Sequence, residues 1–188
     1  MAPRASSLLT KQEPHGLSLS KDGRSLQTHR QHKSRLGEKM VMELEYDWSL
    51  YGKEHLAGPF EVTKELIQAF TESLGESNPV FTDEDAALAA GYSGLVAPPT
   101  FCTVFVSRVS LPDINLDFGK LQVHAGQRVQ PRADIVAGDQ VTASSHLKDV
   151  YTKTGRSGTM VFVVWETTFR NQNGEVVADI QESFARRE

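Results

Sequence analysis

Two stretches carry residue types from which chemistry could be built. Residues 75–82 read Gly-Glu-Ser-Asn-Pro-Val-Phe-Thr, and residues 92–101 read Tyr-Ser-Gly-Leu-Val-Ala-Pro-Pro-Thr-Phe. Glu76 could accept a proton, or could be a solvated carboxylate at a helix end. Phe81 could form an apolar wall or ordinary core, and a benzyl group cannot titrate near neutrality. Pro99 has no N–H to donate. His124 is the one histidine set in a clear strand pattern, with Gly126 and Gln127 beside it. It could line a site from a sheet or stand at a surface or interface. His55 and His146 lack supporting context, and no spaced ligand cluster suggests a metal. Gly155-Arg156-Ser157-Gly158 lacks the spacing of a phosphate loop and falls between strands, so it reads as a hairpin turn. Lys153 and Arg156 could still meet a phosphate as plain charges.

The elements that must position these residues follow from local pattern. Residues 58–63 alternate enough for a short strand. Thr63 offers an N-cap hydroxyl, Glu65 suits the first turn, and Gly75 is a left-handed stop. Between them Leu66, Ile67, Phe70 and Leu74 share one helical face. Thr82-Asp83-Glu84-Asp85 resembles a capping box for a short Ala-rich helix through Ala90, ended by Gly91. Pro98-Pro99 suits the entry to a third helix, because first-turn amides have no intrahelical partner. Phe101, Val104, Phe105 and Val106 leave that helix apolar on most sides, which predicts burial.

From Leu121 onward the period changes to two. Leu121, Val123 and Ala125 alternate with Gln122 and His124, and Gly126 marks a bulge. Ala137-Gly138-Asp139 turns into a strand over 140–151, and residues 160–169 form a long β-branched and aromatic strand. Asn173-Gly174 joins it by a hairpin to a strand over 176–184. One long buried helix wrapped by an antiparallel sheet is an α+β architecture.

Bulk properties bound the rest. A chain of 188 residues fits one domain and could bury about 70% of its unfolded surface. No run of about eighteen apolar residues occurs, which leaves no transmembrane helix. The single Cys102 excludes an intramolecular disulfide and points to a reducing, cytoplasmic setting. The net charge of −4 gives no general attraction to nucleic acid or anionic membrane. Residues 1–39 hold 8 Lys/Arg against 3 Asp/Glu, net +5, leaving 12 against 21, net −9, over residues 40–188. This segment, poor in β-branched and aromatic residues, is expected to be a disordered basic tail, with residues 40–188 forming the folded domain. An organelle transit peptide is the alternative, although Glu13, Asp22 and Glu38 interrupt it. A start at Met40 or Met42 is another.

The elbow resembles that of the MaoC-like (R)-specific enoyl-thioester hydratases and dehydratases. Their usual form is Gly-Asp-x-Asn-Pro-apolar-His-x-Asp, followed by an apolar-Ala-His-Gly turn into a helix. Here Asn78 and Pro79 match, Glu76 replaces the Asp, Phe81 the His, and Pro98-Pro99 the His-Gly pair. The segments 116–120 and 155–164, with Ala97-Pro98-Pro99-Thr100-Phe101, look like the amino-terminal, FAS1-like dehydratase branch. The resemblance implies a hot-dog fold over most of residues 55–186, with an antiparallel sheet wrapped around a long central helix. It also implies reversible addition of water to an acyl thioester of coenzyme A or acyl carrier protein, with no other cofactor.

That reaction needs an acid–base pair and an oxyanion donor. By the resemblance, Glu76 stands at the acid position, but its extra methylene displaces the carboxylate by about 1 Å, which can cost about 100-fold. Pro99 stands where a backbone donor belongs, leaving the amides of Thr100 and Phe101 as substitutes. The expected protein is therefore a catalytically impaired subunit paired with a second hot dog, in a heterodimer or homodimer. In that arrangement Asn78 shapes the elbow and Phe81, Phe101 and Phe105 wall the acyl chain. The alternatives are a homodimeric hydratase using Glu76, with His124 as its possible second group, and a non-enzymatic acyl-CoA-binding protein.

Overall fold

The computed structural model describes residues 43–156 and 158–187, together with the paired strands β1 (Ser18–Leu19) and β2 (Ser25–Leu26). The rest of the expected amino-terminal tail lies outside the described residues. Five strands build the main antiparallel sheet: β3 (His55–Glu61), β4 (Leu121–Pro131), β5 (Gln140–Gly155), β6 (Gly158–Arg170) and β7 (Val176–Arg187). Their spatial order is β3-β5-β6-β7-β4. Hairpins link β5, β6 and β7, and the Asn173-Gly174 turn does so with Gly174 at φ +79°. The two earlier strands close the edges, β3 against β5 and β4 against β7.

Register sorts the side chains into rows across one face of this sheet. Ala143, Phe169 and Ala178 form one row, Ser145, Thr167 and Ile180 the next, then Leu147, Trp165 and Glu182, then Val163, Phe184 and His124. This is the inner face, and two apolar clusters lie on it. The first packs Val141, Phe169 and Ile180 under Ile67, Phe101 and Phe105 from the helical segments. The second packs Leu147, Val163 and Trp165 under Tyr46, Leu50, Ile114 and Leu116. Ser145 Oγ and Thr167 Oγ1, both buried, lie 2.7 Å apart and satisfy each other within this face.

Residues 43–51 are a structural strap for the second cluster. The Asp47 amide donates to the Ile114 carbonyl at 2.7 Å, and the Asp117 amide to the Glu45 carbonyl at 2.9 Å. Trp48–Leu50 makes a single 3₁₀ turn capped by Asp47, whose carboxylate accepts from the Ser49 amide. On β3, pairing slips between Ala57 and Phe60, where Gly58 has φ +98°. A Cβ at Gly58 would stand 2.9 Å from the Val141 carbonyl oxygen, so only glycine fits without a shift.

The helices are α1 (Lys64–Leu74), α2 (Pro79–Thr82), α3 (Glu84–Ala89) and α4 (Thr103–Val106). Thr63 caps α1 through its hydroxyl, and Gly75 ends it at φ +64°, as the local pattern predicts. Leu74 departs from expectation: it is 53% exposed, one turn beyond the contact with the core. The expected long central helix is also corrected. Only Thr103–Val106 is α-helical, and the amides of Phe101, Thr103, Val104, Phe105, Arg108 and Val109 donate to carbonyls three residues back. Two prolines at its start and β-branched Thr100, Thr103, Val104, Val106 and Val109 favour this tighter winding.

Candidate functional site

The elbow between α1 and α2 is held by its own polar groups. After Gly75, Glu76 Oε1 accepts from the amides of Ser77 and Asn78 at 2.8 and 2.9 Å. Asn78 Oδ1 then accepts from the Val80 amide at 3.3 Å and caps α2, with Pro79 at the first helical position. Asp83 caps α3 through the amides of Asp85 and Ala86. The Val96 amide donates to the Val80 carbonyl and ties the elbow to the Pro98-Pro99 turn. Glu76, Asn78 and Pro79 are exposed and Phe81 is half-buried.

Beyond this turn a cleft of about 230 Å³ is lined by Ala97, Pro98 and Pro99 on one side and residues 131–135 on the other. Its one cationic group, Arg132, gives its Nε to Asp179 Oδ2 at 2.8 Å. Thr100 is exposed. The Phe101 amide donates to the Pro98 carbonyl at 2.8 Å, so it is not free to replace the donor that Pro99 lacks. Phe101 and Phe105, expected as acyl-chain walls, are fully buried core residues. Phe101 packs edge-on to Phe70 and Phe105, and Phe105 stacks on Phe60 at 5.0 Å between centroids. Inter-ring packing uses their faces within the chain itself.

His124 belongs to a different place. The β4 bulge falls between His124 and Gly126, as the glycine suggests. The imidazole is set edge-on to Phe184, with Nε2 3.4 Å from Glu182 Oε1. The Gln127 amide nitrogen is 3.5 Å from the same oxygen. These groups open on a cleft of about 380 Å³ whose other wall runs from Thr103 and Val106 to Leu111. Glu76 borders neither this cleft nor the one at Pro99. The carboxylate partner of His124 is therefore Glu182, which the sequence reading missed. The available signal was the alternation Ala178, Ile180, Glu182, Phe184, an acid on an otherwise apolar face.

The other two histidines among the described residues have structural surroundings. His55 lies edge-on to Trp165, and His146 stands between Glu54 and Glu166 beside the Lys148–Glu166 ion pair. Among the described residues no group of three or more His, Cys, Asp or Glu is arranged to hold a metal ion. No helix among them is long and apolar enough to cross a membrane.

A five-stranded antiparallel sheet folded over one interior helical segment, entered through an Asn-Pro elbow, is the hot-dog architecture of (R)-hydratases and dehydratases. Residues 49–180 match the family model described as the FAS1-like dehydratase domain region, and the chain belongs to that family. A UPF0336 protein of Streptomyces avermitilis is 34% identical over 115 residues, covering 58% of this chain and 76% of the relative. A UPF0336 protein of Parafrankia sp. is 37% identical over 126 residues, covering 64% and 80%. Among solved structures, the C-terminally truncated HadBC (3R-hydroxyacyl-ACP dehydratase) complex of Mycobacterium tuberculosis aligns with TM-score 0.59 and 26% identity, over 74% of this chain and 98% of that one. The R-hydratase PhaJ1 of Pseudomonas aeruginosa aligns with TM-score 0.54 and 19% identity, over 72% and 80%, and supports the fold alone.

Proposed function

We propose that this chain is a subunit of an (R)-3-hydroxyacyl-thioester dehydratase or enoyl-thioester hydratase. It holds the acyl part of a coenzyme A or acyl-carrier-protein thioester, while a second hot-dog subunit supplies the proton-transfer groups. The observation that carries this reading is the elbow, which keeps its shape while its reactive positions serve other ends. Glu76 braces two backbone amides, Phe81 cannot move a proton, Pro99 has no N–H, and the Phe101 amide is already engaged. Hydration requires a base to take a proton from water as its oxygen bonds to the β-carbon, and an acid to protonate the α-carbon. In this reading the partner performs both transfers. The similarity to the HadBC complex supports a partner of the same fold. So does β4, an eleven-residue edge strand whose residues 121–128 are all exposed.

The test is co-expression with a hot-dog subunit that carries the intact Asp and His, followed by a crotonyl-CoA hydration assay. The pair should co-elute and turn over, and this chain alone should be at least about 100-fold slower. Rapid hydration by the purified chain, unchanged by any partner, would overturn the reading.

A further inference from the structure

The outward face of the sheet changes character along its strands. At one end its rows are polar and paired among themselves. Ser144 meets Glu54, Thr168 and Arg132 both meet Asp179, and His146 and Lys148 flank Glu166. Such solvated pairs satisfy one another and ask for nothing further. Past the β5 irregularity between Leu147 and Asp149 the pattern turns over. Tyr151, Phe162, Ala185 and Val123 form one row, and Lys153, Met160, Arg187 and Leu121 the next. Alternation directs both rows outward, since Val163, Phe184 and His124 face in. Leu121 is 51% exposed and Val123 47%. Two adjoining apolar rows on the watery side of a sheet mark a contact surface.

Positive charge surrounds these rows. The Tyr151 and Phe162 rings stack at 5.1 Å, and Lys153 Nζ stands 5.4 and 5.0 Å from their centroids. Lys120 precedes Leu121, and Arg156 stands at the tip of the β5–β6 hairpin, so with Lys153 and Arg187 four exposed cations rim the patch. Lys120, Arg156 and Arg187 make no ion pair among the described residues. The acid of the adjoining row is Asp149, beside Val164 and Ser183. A local surplus of positive charge therefore sits on residues 40–188, whose net charge is −9.

We propose that this outward face docks a small acidic protein, acyl carrier protein, and so selects the carrier of the substrate. The proposal rests on the thioester dehydratase reading and decides between the two carriers that reading allows. An apolar centre within a charged rim is the anatomy of a specific protein contact. The centre crosses four strands, about 14 Å, which suits a small transient interface. Coenzyme A would need cations converging in a concavity, whereas these are spread over two rows and a hairpin tip of a pleated face. A nucleic-acid duplex or a bilayer would reach past the patch onto the acidic remainder of the domain. A compact acidic surface touches the patch alone and is steered to it.

The test titrates fluorescently labelled apo-acyl carrier protein against the full-length protein and reads anisotropy. Binding should weaken by at least about tenfold between low salt and about 0.3 M salt. Lys153→Glu and Arg187→Glu should each raise Kd about 3- to 10-fold, and Leu121→Ser about threefold, while Lys153→Arg stays within about twofold. Reversing two charges in the basic amino-terminal segment instead, with Lys11→Glu and Lys33→Glu, should leave Kd within about twofold. Melting temperatures should not move, because every substituted side chain of the patch is exposed. In the complex with the second hot dog, the patch variants should raise KM for crotonyl-acyl carrier protein and leave KM for crotonyl-CoA unchanged. Absent binding, loss only with the Lys11 and Lys33 reversals, equal KM changes for both carriers, or capture by phosphatidylglycerol vesicles in place of carrier protein would overturn the proposal. Failure here with crotonyl-CoA hydration intact leaves the dehydratase reading standing. Patch-dependent docking without hydration by the partnered complex sinks that reading alone.

Discussion

Glu76 Oε1 accepts the amide hydrogen of Asn78 across 2.9 Å, so the carboxylate at the elbow fastens the backbone on which it stands. Removing it should therefore act on folding before chemistry. Glu76→Ala is expected to lower stability by about 0.5–2 kcal/mol, the range of a lost cap, and Glu76→Gln by less because it keeps an acceptor oxygen. Turnover in the presence of the catalytic partner should survive both. Urea melts and crotonyl-CoA assays on the same samples decide this. A fall in kcat above about 100-fold with unchanged stability would return Glu76 to the reaction.

Ser145 and Thr167 give a second, independent test of the interior. Ser145→Ala strands the buried Thr167 hydroxyl and should cost about 1–3 kcal/mol. Adding Thr167→Val removes the stranded group and should restore part of that loss. A double mutant as unstable as the sum of the singles would contradict the pairing.

Gly58 should tolerate no side chain. With φ at +98° and the Val141 carbonyl 2.9 Å from any added Cβ, Gly58→Ala is expected to destabilise by about 1–3 kcal/mol. Gly126→Ala, at a bulge with nothing near its would-be Cβ, is the matched control and should change stability by less than about 1 kcal/mol. Equal effects at the two sites would be inconsistent with the β3 geometry.

Cys102 predicts an alkaline weakness. Burial pushes its thiol up to about 12, whereas an unfolded cysteine titrates near 8.5. Its contribution is fully present below the unfolded value, and it is lost as pH rises toward the folded one, because only the unfolded chain releases the proton in that window. Stability should fall by up to about 1.4 kcal/mol per pH unit between roughly pH 9 and 12, and Cys102→Ala should remove that part of the slope. At pH 8 the native thiol should react with a disulfide reagent far more slowly than the urea-unfolded chain. Comparable rates would show that it is accessible.

The exposed edge predicts how subunits meet. Val123 is 47% exposed on β4, and lysine on a sheet edge discourages pairing. Val123→Lys should weaken assembly with the second hot dog in size-exclusion chromatography while leaving the melting temperature of the separate chain within about 2 °C. Unaltered assembly would move the contact away from β4.

Local signals were legible in the sequence. Thr63, Gly75, Gly126 and Asn173-Gly174 each act within a few residues, so their types alone specify cap, stop, bulge and turn. The elbow and its resemblance carried the fold, which the family match and the sheet order bear out. The central helix was overextended because apolar residues on most sides signal burial without fixing the winding, and β-branched side chains between two prolines and Val109 wind it tighter. Phe101 and Phe105 look alike as core or as pocket walls until Phe60 and Phe70 are seen to occupy their faces. Glu182 stayed hidden for another reason: 58 positions separate it from His124, and only the β4–β7 register brings them together.

The strap formed by residues 43–51 matters to whoever next clones this polypeptide. Tyr46 and Leu50 roof the same apolar cluster that contains Trp165, so the core draws on residues well ahead of the first long strand. A shortened version beginning near Lys53 would discard that roof and leave an oily gap beside the indole. An expression boundary drawn at the edge of the recognisable family region would cut into the protein's own lining.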